Sequence, residues 1–163
     1  MNIYLIGMPG SGKSTIARDL GKKLNRKVID LDDEIAKNAL MFVEEIIEKL
    51  GIDAFRNLET EALKQINEDN VIISCGGGIV TKRENKAFMN GFKIYIDTDI
   101  EIIRKRLETD YERPLLKTKT LDSLYEERFL KYLDFADVIV SNNKTLENVC
   151  EDIIEILDKE GIL

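Results

Sequence analysis

Residues 7–14 read Gly7-Met8-Pro9-Gly10-Ser11-Gly12-Lys13-Ser14 and follow directly on the apolar run Ile3-Tyr4-Leu5-Ile6. The stretch fits G-x-x-x-x-G-K-[ST], the phosphate-binding P-loop. Each part has a mechanical task. The glycines let the backbone curl so that successive N–H groups point inward at a β-phosphate. Lys13 reaches the β- and γ-phosphates, and the Ser14 hydroxyl ligates Mg²⁺. The helix expected to begin near Lys13 turns its positive end toward the anion. Gly10, Ser11, Gly12, Lys13, Ser14 and Thr15 are therefore the candidate nucleotide-binding residues. With glycine at about 7% of residues, the four fixed positions meet by chance in roughly one chain of this length in a few hundred. The flanks sharpen the match, because a helical pattern (Ile16, Ala17, Leu20, Leu24) follows the loop as the strand precedes it. With the motif so close to the N-terminus, no leader or further domain is expected before it.

Outward from this unit, apolar β-rich runs recur at Ile3–Ile6, Lys27–Leu31, Val71–Cys75, Phe92–Ile96 and Val138–Val140, with helical patterns between them. Strands alternating with helices imply βαβ units and a parallel sheet. Such strands are buried on both faces, so they read as solid apolar runs. Val43, Ile46, Ile47 and Leu50 make one apolar helix face that Gly51 ends. Thr98 with Glu101 reads as a capping box before Ile102, Ile103 and Leu107. A last helix is expected over 146–157. Residues 108–120 are polar and charged and contain Arg113-Pro114, which fits an active-site lid. There is no internal repeat, low-complexity tract or linker.

A chain of 163 residues is about one domain. At this length folding buries roughly two-thirds of the unfolded surface. The net charge of −7 and a pI near 4.8 argue against nucleic acid as the main partner. Anionic ligands must then be held by locally placed cations. The absence of any signal peptide, and of an apolar run near the roughly 20 residues that span a bilayer, points to a cytoplasmic protein with no membrane partner. The chain has no histidine, and Cys75 and Cys150 are far apart. That argues against zinc and removes histidine general bases and Ser-His triads. Catalysis must run on carboxylates, lysine, arginine, backbone and a metal.

Four further stretches carry chemistry. Asp30 and Asp32 sit at the end of the second strand, where a doubly wound sheet faces its ligand crevice. One carboxylate there can hold Mg²⁺ and the other can accept a proton from an attacking hydroxyl. Asp33 and Glu34 read as an acidic first helical turn. Phe55-Arg56-Asn57-Leu58-Glu59 is expected to open a helix; an arginine so near its start asks for an acidic partner, a ligand carboxylate or Glu59 three residues on. Gly76-Gly77-Gly78 follows the third strand, where something must approach the backbone closely. Arg106, Arg113 and Arg128 flank or lie in the expected lid, where P-loop enzymes place arginines on the transferring phosphoryl group. Lys105, Lys117 and Lys119 read as a solvated face.

Together GMPGSGKST, Asp30-Leu31-Asp32, FRNLE at 55–59, GGG at 76–78, RPLL at 113–116 and R-x-x-x-Y-x-x-x-A-D from Arg128 to Asp137 resemble the shikimate kinase family, over nearly the whole chain. The resemblance implies a single P-loop kinase domain over 1–163: a five-stranded parallel sheet of order 2-3-1-4-5, flanked by helices, with a mobile lid at about 109–120. It implies Mg-dependent transfer of the ATP γ-phosphoryl to the 3-hydroxyl of shikimate, in aromatic amino-acid biosynthesis, by a monomer. By the same resemblance, Lys13 and Arg113 would contact the phosphates, and Ser14 and Asp30 would serve Mg²⁺. Asp32 would bind the shikimate hydroxyls and act as base. Arg56 and Arg128 would clamp the carboxylate, with Glu59 in support. Gly77 and Gly78 would face the substrate, Arg106 would lie along the adenine, and 33–62 would form the shikimate-binding segment. Leu130 departs from the family, which often has proline there, and the lid after Leu116 is short and lysine-rich. Two other classes compete: a P-loop kinase for gluconate or a nucleoside monophosphate, and a nucleotide-binding switch or regulatory ATP-binding module. The triple glycine, Phe55-Arg56 and RPLL oppose the first; the absence of N-K-x-D opposes a GTPase switch.

Overall fold

The structure is a computed structural model and describes residues 1–108 and 120–163. Five parallel strands form one sheet: β1 (Asn2–Ile6), β2 (Val28–Asp30), β3 (Ile72–Ser74), β4 (Gly91–Asp97) and β5 (Val138–Ser141), in the order β2-β3-β1-β4-β5. Between them run α1 (Lys13–Leu24), α2 (Leu31–Ala39), α3 (Val43–Leu50), α4 (Ile52–Gln65), α5 (Asn85–Phe88), α6 (Ile100–Leu107), α7 (Leu121–Phe135) and α8 (Leu146–Lys159). The sheet thus has the expected order. Its central strand, β1, pairs with β3 from Ile3↔Ile72 and with β4 from Asn2↔Gly91.

Successive strand residues point to opposite faces, and the core divides accordingly. Ile3 and Leu5 meet Ile16, Ala17 and Leu20 of α1 and Val149, Ile153 and Leu157 of α8. Tyr4 and Ile6 meet Ile35, Ile46, Phe55 and Leu63 of α2–α4 and Leu124, Tyr132 and Phe135 of α7. With helices on both faces, β1 is buried at every position. The chain turns to one side of β1 for β2 and β3 and to the other for β4 and β5. That is the switch point where open α/β sheets leave a crevice at the carboxyl ends of their strands, and the P-loop leaves β1 there.

Several local expectations are corrected. β2 stops at Asp30 because the Asp30 carboxylate caps α2, accepting from the Asp33 N–H at 3.2 Å; Leu31 is therefore helical. The capping box of Thr98 and Glu101 does not form. Asp99 caps α6, accepting from the Glu101 N–H at 2.9 Å, while the Thr98 hydroxyl donates to the Ser11 carbonyl at 2.8 Å. The helix expected to open at Phe55 opens at Ile52. Arg56 therefore lies beyond its first turn, where the dipole argument loses force. Of the apolar face on α3, Ile46 is buried and Leu50 is exposed. Leu130 is also exposed on α7, away from the core. The expected lid at 109–120, with Arg113, Lys117 and Lys119, lies outside the described residues apart from Thr120. No helix among the described residues is long and apolar enough to cross a membrane.

Candidate active site

The P-loop carries the first half of the site. Gly12 stands at the N-cap of α1 with φ 96°, in the left-handed region, and a Cβ there would also lie 2.8 Å from Asn142 Nδ2. Glycine meets both demands. Lys13 is buried, its ammonium donating to the Gly7 and Met8 carbonyls at 2.8 and 2.9 Å, so its charge stays over the loop. Carbonyls of the loop are held by side chains that follow β4 and β5 and by one from α6. The Ser11 carbonyl accepts from Thr98 Oγ1 at 2.8 Å and from Asn142 Nδ2 at 2.6 Å. The Gly10 carbonyl accepts from Arg106 Nη1 at 2.9 Å. These bonds fix the backbone of the loop, whose N–H groups are the anion ligands of a P-loop.

Ser14 Oγ donates to Asp30 Oδ2 at 3.0 Å and lies 3.3 Å from Ser74 Oγ. Asp30 thus uses one oxygen to cap α2 and turns the other to Ser14. These are hard oxygen donors of the kind Mg²⁺ selects, and all three residues line one cavity. Among the described residues no cluster of three or more acidic, cysteine or histidine side chains could hold a metal by itself.

A cavity of about 570 Å³ joins this loop to the end of β2 and to the glycine turn. It brings together Gly10, Gly12, Lys13, Ser14, Thr15, Asp30, Asp32, Gly77 and Arg106. Arg56, Glu59, Gly78 and Arg128 do not line it; they form a buried cluster directly behind its Asp32 end. A Cβ on Gly76 would lie 2.8 Å from Asp32 Oδ1 and 3.0 Å from Glu59 Oε2, so both carboxylates crowd the glycine turn. A Cβ on Gly78 would fall inside the Arg56 guanidinium. Arg56 Nη1 donates to Glu59 Oε1 at 2.6 Å in this buried setting. Glu59 Oε2 and Arg128 Nη1 are buried with no hydrogen-bond partner among the described residues. Burial pushes the Glu59 carboxyl up to about 6, against the pull of Arg56 and with the neighbouring Asp32 charge adding to the rise. Asp33, in the first turn of α2, is also raised, by burial and then by Asp30 and Glu34.

A buried arginine nitrogen with an open hydrogen-bonding position, beside a second buried arginine, is a carboxylate-binding arrangement. A carboxylate lining the same cavity as a P-loop is placed to meet a hydroxyl of the second substrate. The sequence reading missed Ser74, Thr98, Asn142 and Tyr132. The first three end or directly follow strands at their carboxyl ends, the signal that could have found them. Tyr132 had only its place in the R-x-x-x-Y motif.

Comparison with known proteins agrees with this geometry. The sequence model of the shikimate kinase family matches residues 9–158. The shikimate kinase of Aquifex aeolicus is 40% identical over 168 residues, covering 99% of each chain. That of Clostridium botulinum is 40% identical over 160 residues, covering 95% of this chain and 96% of that one. Among solved structures, shikimate kinase from Acinetobacter baumannii in complex with shikimate superposes with a TM-score of 0.93 at 29% identity, covering 99% of this chain and 95% of that one. The Aquifex aeolicus enzyme superposes with a TM-score of 0.87 at 38% identity, covering 99% of both chains. The chain belongs to the shikimate kinase family and is an enzyme, a kinase that acts on shikimate with ATP.

Proposed function

We propose that this chain transfers the γ-phosphoryl group of ATP to the 3-hydroxyl of shikimate, with Lys13, Ser14, Asp30, Asp32, Arg56 and Arg128 as its working residues. The observation that carries the reading is one cavity lined by both the P-loop and Asp32, backed by two buried arginines. ATP lies with its phosphates on the N–H groups of Gly10 to Thr15 and its base toward Arg106. Mg²⁺, when bound, would be held by Ser14 and, through water, Asp30, and would offset phosphate charge. The shikimate carboxylate is clamped by Arg56 and Arg128, whose planar forks match it. Glu59 sets the orientation of Arg56. Gly77 and Gly78 let the acid approach the backbone, and residues 33–62 form the segment around it.

In this arrangement the Asp32 carboxylate receives the proton of the 3-hydroxyl. The hydroxyl oxygen bonds to the γ-phosphorus as the bond to the bridging β,γ-oxygen breaks. The products are shikimate 3-phosphate and ADP. Asp32 supplies orientation and proton acceptance; Lys13 and the loop amides stabilise charge on the phosphates. One acidic domain manages two anionic substrates because its cations are local and partly dehydrated. ADP release measured with shikimate, gluconate, AMP and CMP in turn tests the reading. Stimulation by shikimate alone is expected; stimulation by another acceptor and not by shikimate would end it.

A further inference from the structure

We propose that Tyr132 is a positioning residue: its hydroxyl pins the Gly76–Gly78 turn, and so sets the acceptor against the P-loop. Tyr132 is fully buried on α7, one turn after Arg128. Its hydroxyl donates to the Gly77 carbonyl at 2.6 Å. The ring stacks on Tyr95 of β4, with centroids 4.9 Å apart and planes 24° from parallel, so the hydroxyl is held from behind by the sheet.

Three successive glycines offer no side chain by which a turn could be anchored, and their backbone is the most freely moving of any. The ends of this turn are fixed by backbone bonds, Ile79 N–H to the Gly76 carbonyl at 3.1 Å and Thr81 N–H to the Gly78 carbonyl at 3.0 Å. Its middle carbonyl is fixed by Tyr132. That middle residue bridges the two halves of the site: a Cβ on Gly77 would lie 2.7 Å from Pro9 Cδ in the P-loop. Gly76 and Gly78, on either side, abut Asp32 and Arg56. A shift of the Gly77 peptide therefore moves the acceptor's surroundings relative to the phosphates, and phosphoryl transfer is sensitive to displacements of that kind. The position lies in an apolar cluster that would accept phenylalanine. The hydroxyl is what the packing does not require. Burial pushes it up to about 12, so it remains a donor across the working pH range.

The inference rests on the reading that this turn faces the acid. It is tested with Tyr132→Phe, which keeps the ring and its stack, alongside Tyr95→Phe and Arg128→Gln. Steady-state kinetics are taken with both substrates varied, and thermal unfolding is followed for each protein. Tyr132→Phe should lower kcat by about 10- to 100-fold with the KM for ATP unchanged. Tyr95→Phe, which removes a hydroxyl from the other ring of the same stack, should keep wild-type constants. Arg128→Gln should raise the KM for shikimate. Wild-type kcat in Tyr132→Phe, a loss shared equally by Tyr95→Phe, or a Tyr132→Phe protein unfolded at the assay temperature would each overturn the proposal. An unchanged shikimate KM in Arg128→Gln would instead overturn the site reading beneath it.

Discussion

Gly78→Ala is a one-methyl change whose outcome the structure decides. Gly78 has φ −93°, a conformation alanine adopts without strain. By backbone reasoning alone the substitution should stabilise the fold by about 0.4–1 kcal/mol, through the unfolded chain. The added methyl, however, would occupy the space of the Arg56 guanidinium. A flexible arginine could ordinarily swing aside. Here Arg56 is bound to Glu59 at 2.6 Å, and both are buried. Displacing it leaves a carboxylate that is already raised to about 6 without its partner. Breaking a buried pair by removing one member costs about 3–5 kcal/mol. Glu59 escapes part of this by taking up a proton, so about 3 kcal/mol is expected. In a chain of this size that lowers the unfolding midpoint by about 6–12 °C. The same displacement removes a charge-assisted contact to the acid, worth about 1.5–3 kcal/mol, and so raises the KM for shikimate about 10- to 100-fold. The KM for ATP should stay put. Calorimetry and steady-state kinetics measure both effects, and Arg56→Ala supplies the control. In that background the clash with the guanidinium is gone, and most of the penalty of Gly78→Ala should go with it. Wild-type stability and shikimate KM in Gly78→Ala would refute the reasoning. So would a full penalty that persists in the Arg56→Ala background.

Asp32→Asn keeps the shape of the side chain and removes its basicity; kcat should fall about 10²-fold or more while ATP still binds, and wild-type turnover would remove Asp32 from the chemistry. Arg56→Lys retains the charge and loses the fork, so the KM for shikimate should rise with kcat less affected, and an unchanged KM would place the carboxylate elsewhere. Glu59 titrates near 6 when folded against an ordinary value of 4.5. Because its folded value is raised, its contribution favours the fold below about pH 4.5 and is lost as pH climbs through 6. At 1.36 kcal/mol per pH unit this amounts to about 2 kcal/mol. Denaturation of wild type and Glu59→Gln between pH 4.5 and 6.5 should show wild type losing about that much relative to the variant, and parallel curves would count against the buried charge.

Much of the fold was legible because it follows from local rules. The apolar runs, the P-loop and the helical spacing between strands imply a parallel sheet with its ligands at one edge. Boundaries were less legible where a side chain had two possible partners. Thr98 reads as a helix cap, but its hydroxyl is taken by the Ser11 carbonyl, 87 residues away in sequence, and Asp99 caps the helix instead. Leu50 continues an apolar stripe that α3 leaves facing out. In the site, Lys13, Ser14, Asp30 and Asp32 were readable from their spacing after strands. Asn142 was missed, although its place directly after β5 carries the same signal.

By itself the sequence determined a P-loop on the first strand, a parallel α/β sheet, and a chemistry confined to carboxylates, lysine and arginine by the absence of histidine. Those conclusions rest on short-range geometry, which neighbouring residues impose on one another. Tertiary structure alone decided that the Arg56 guanidinium fills the space beside Gly78, that Glu59 and Asp32 share the surroundings of Gly76, and that the Tyr132 hydroxyl ends on the Gly77 carbonyl. These contacts join residues 17 or more positions apart along the chain. They exist because the sheet order brings the ends of β2, β3 and β1 side by side, and packing density, not local propensity, then fixes which groups meet.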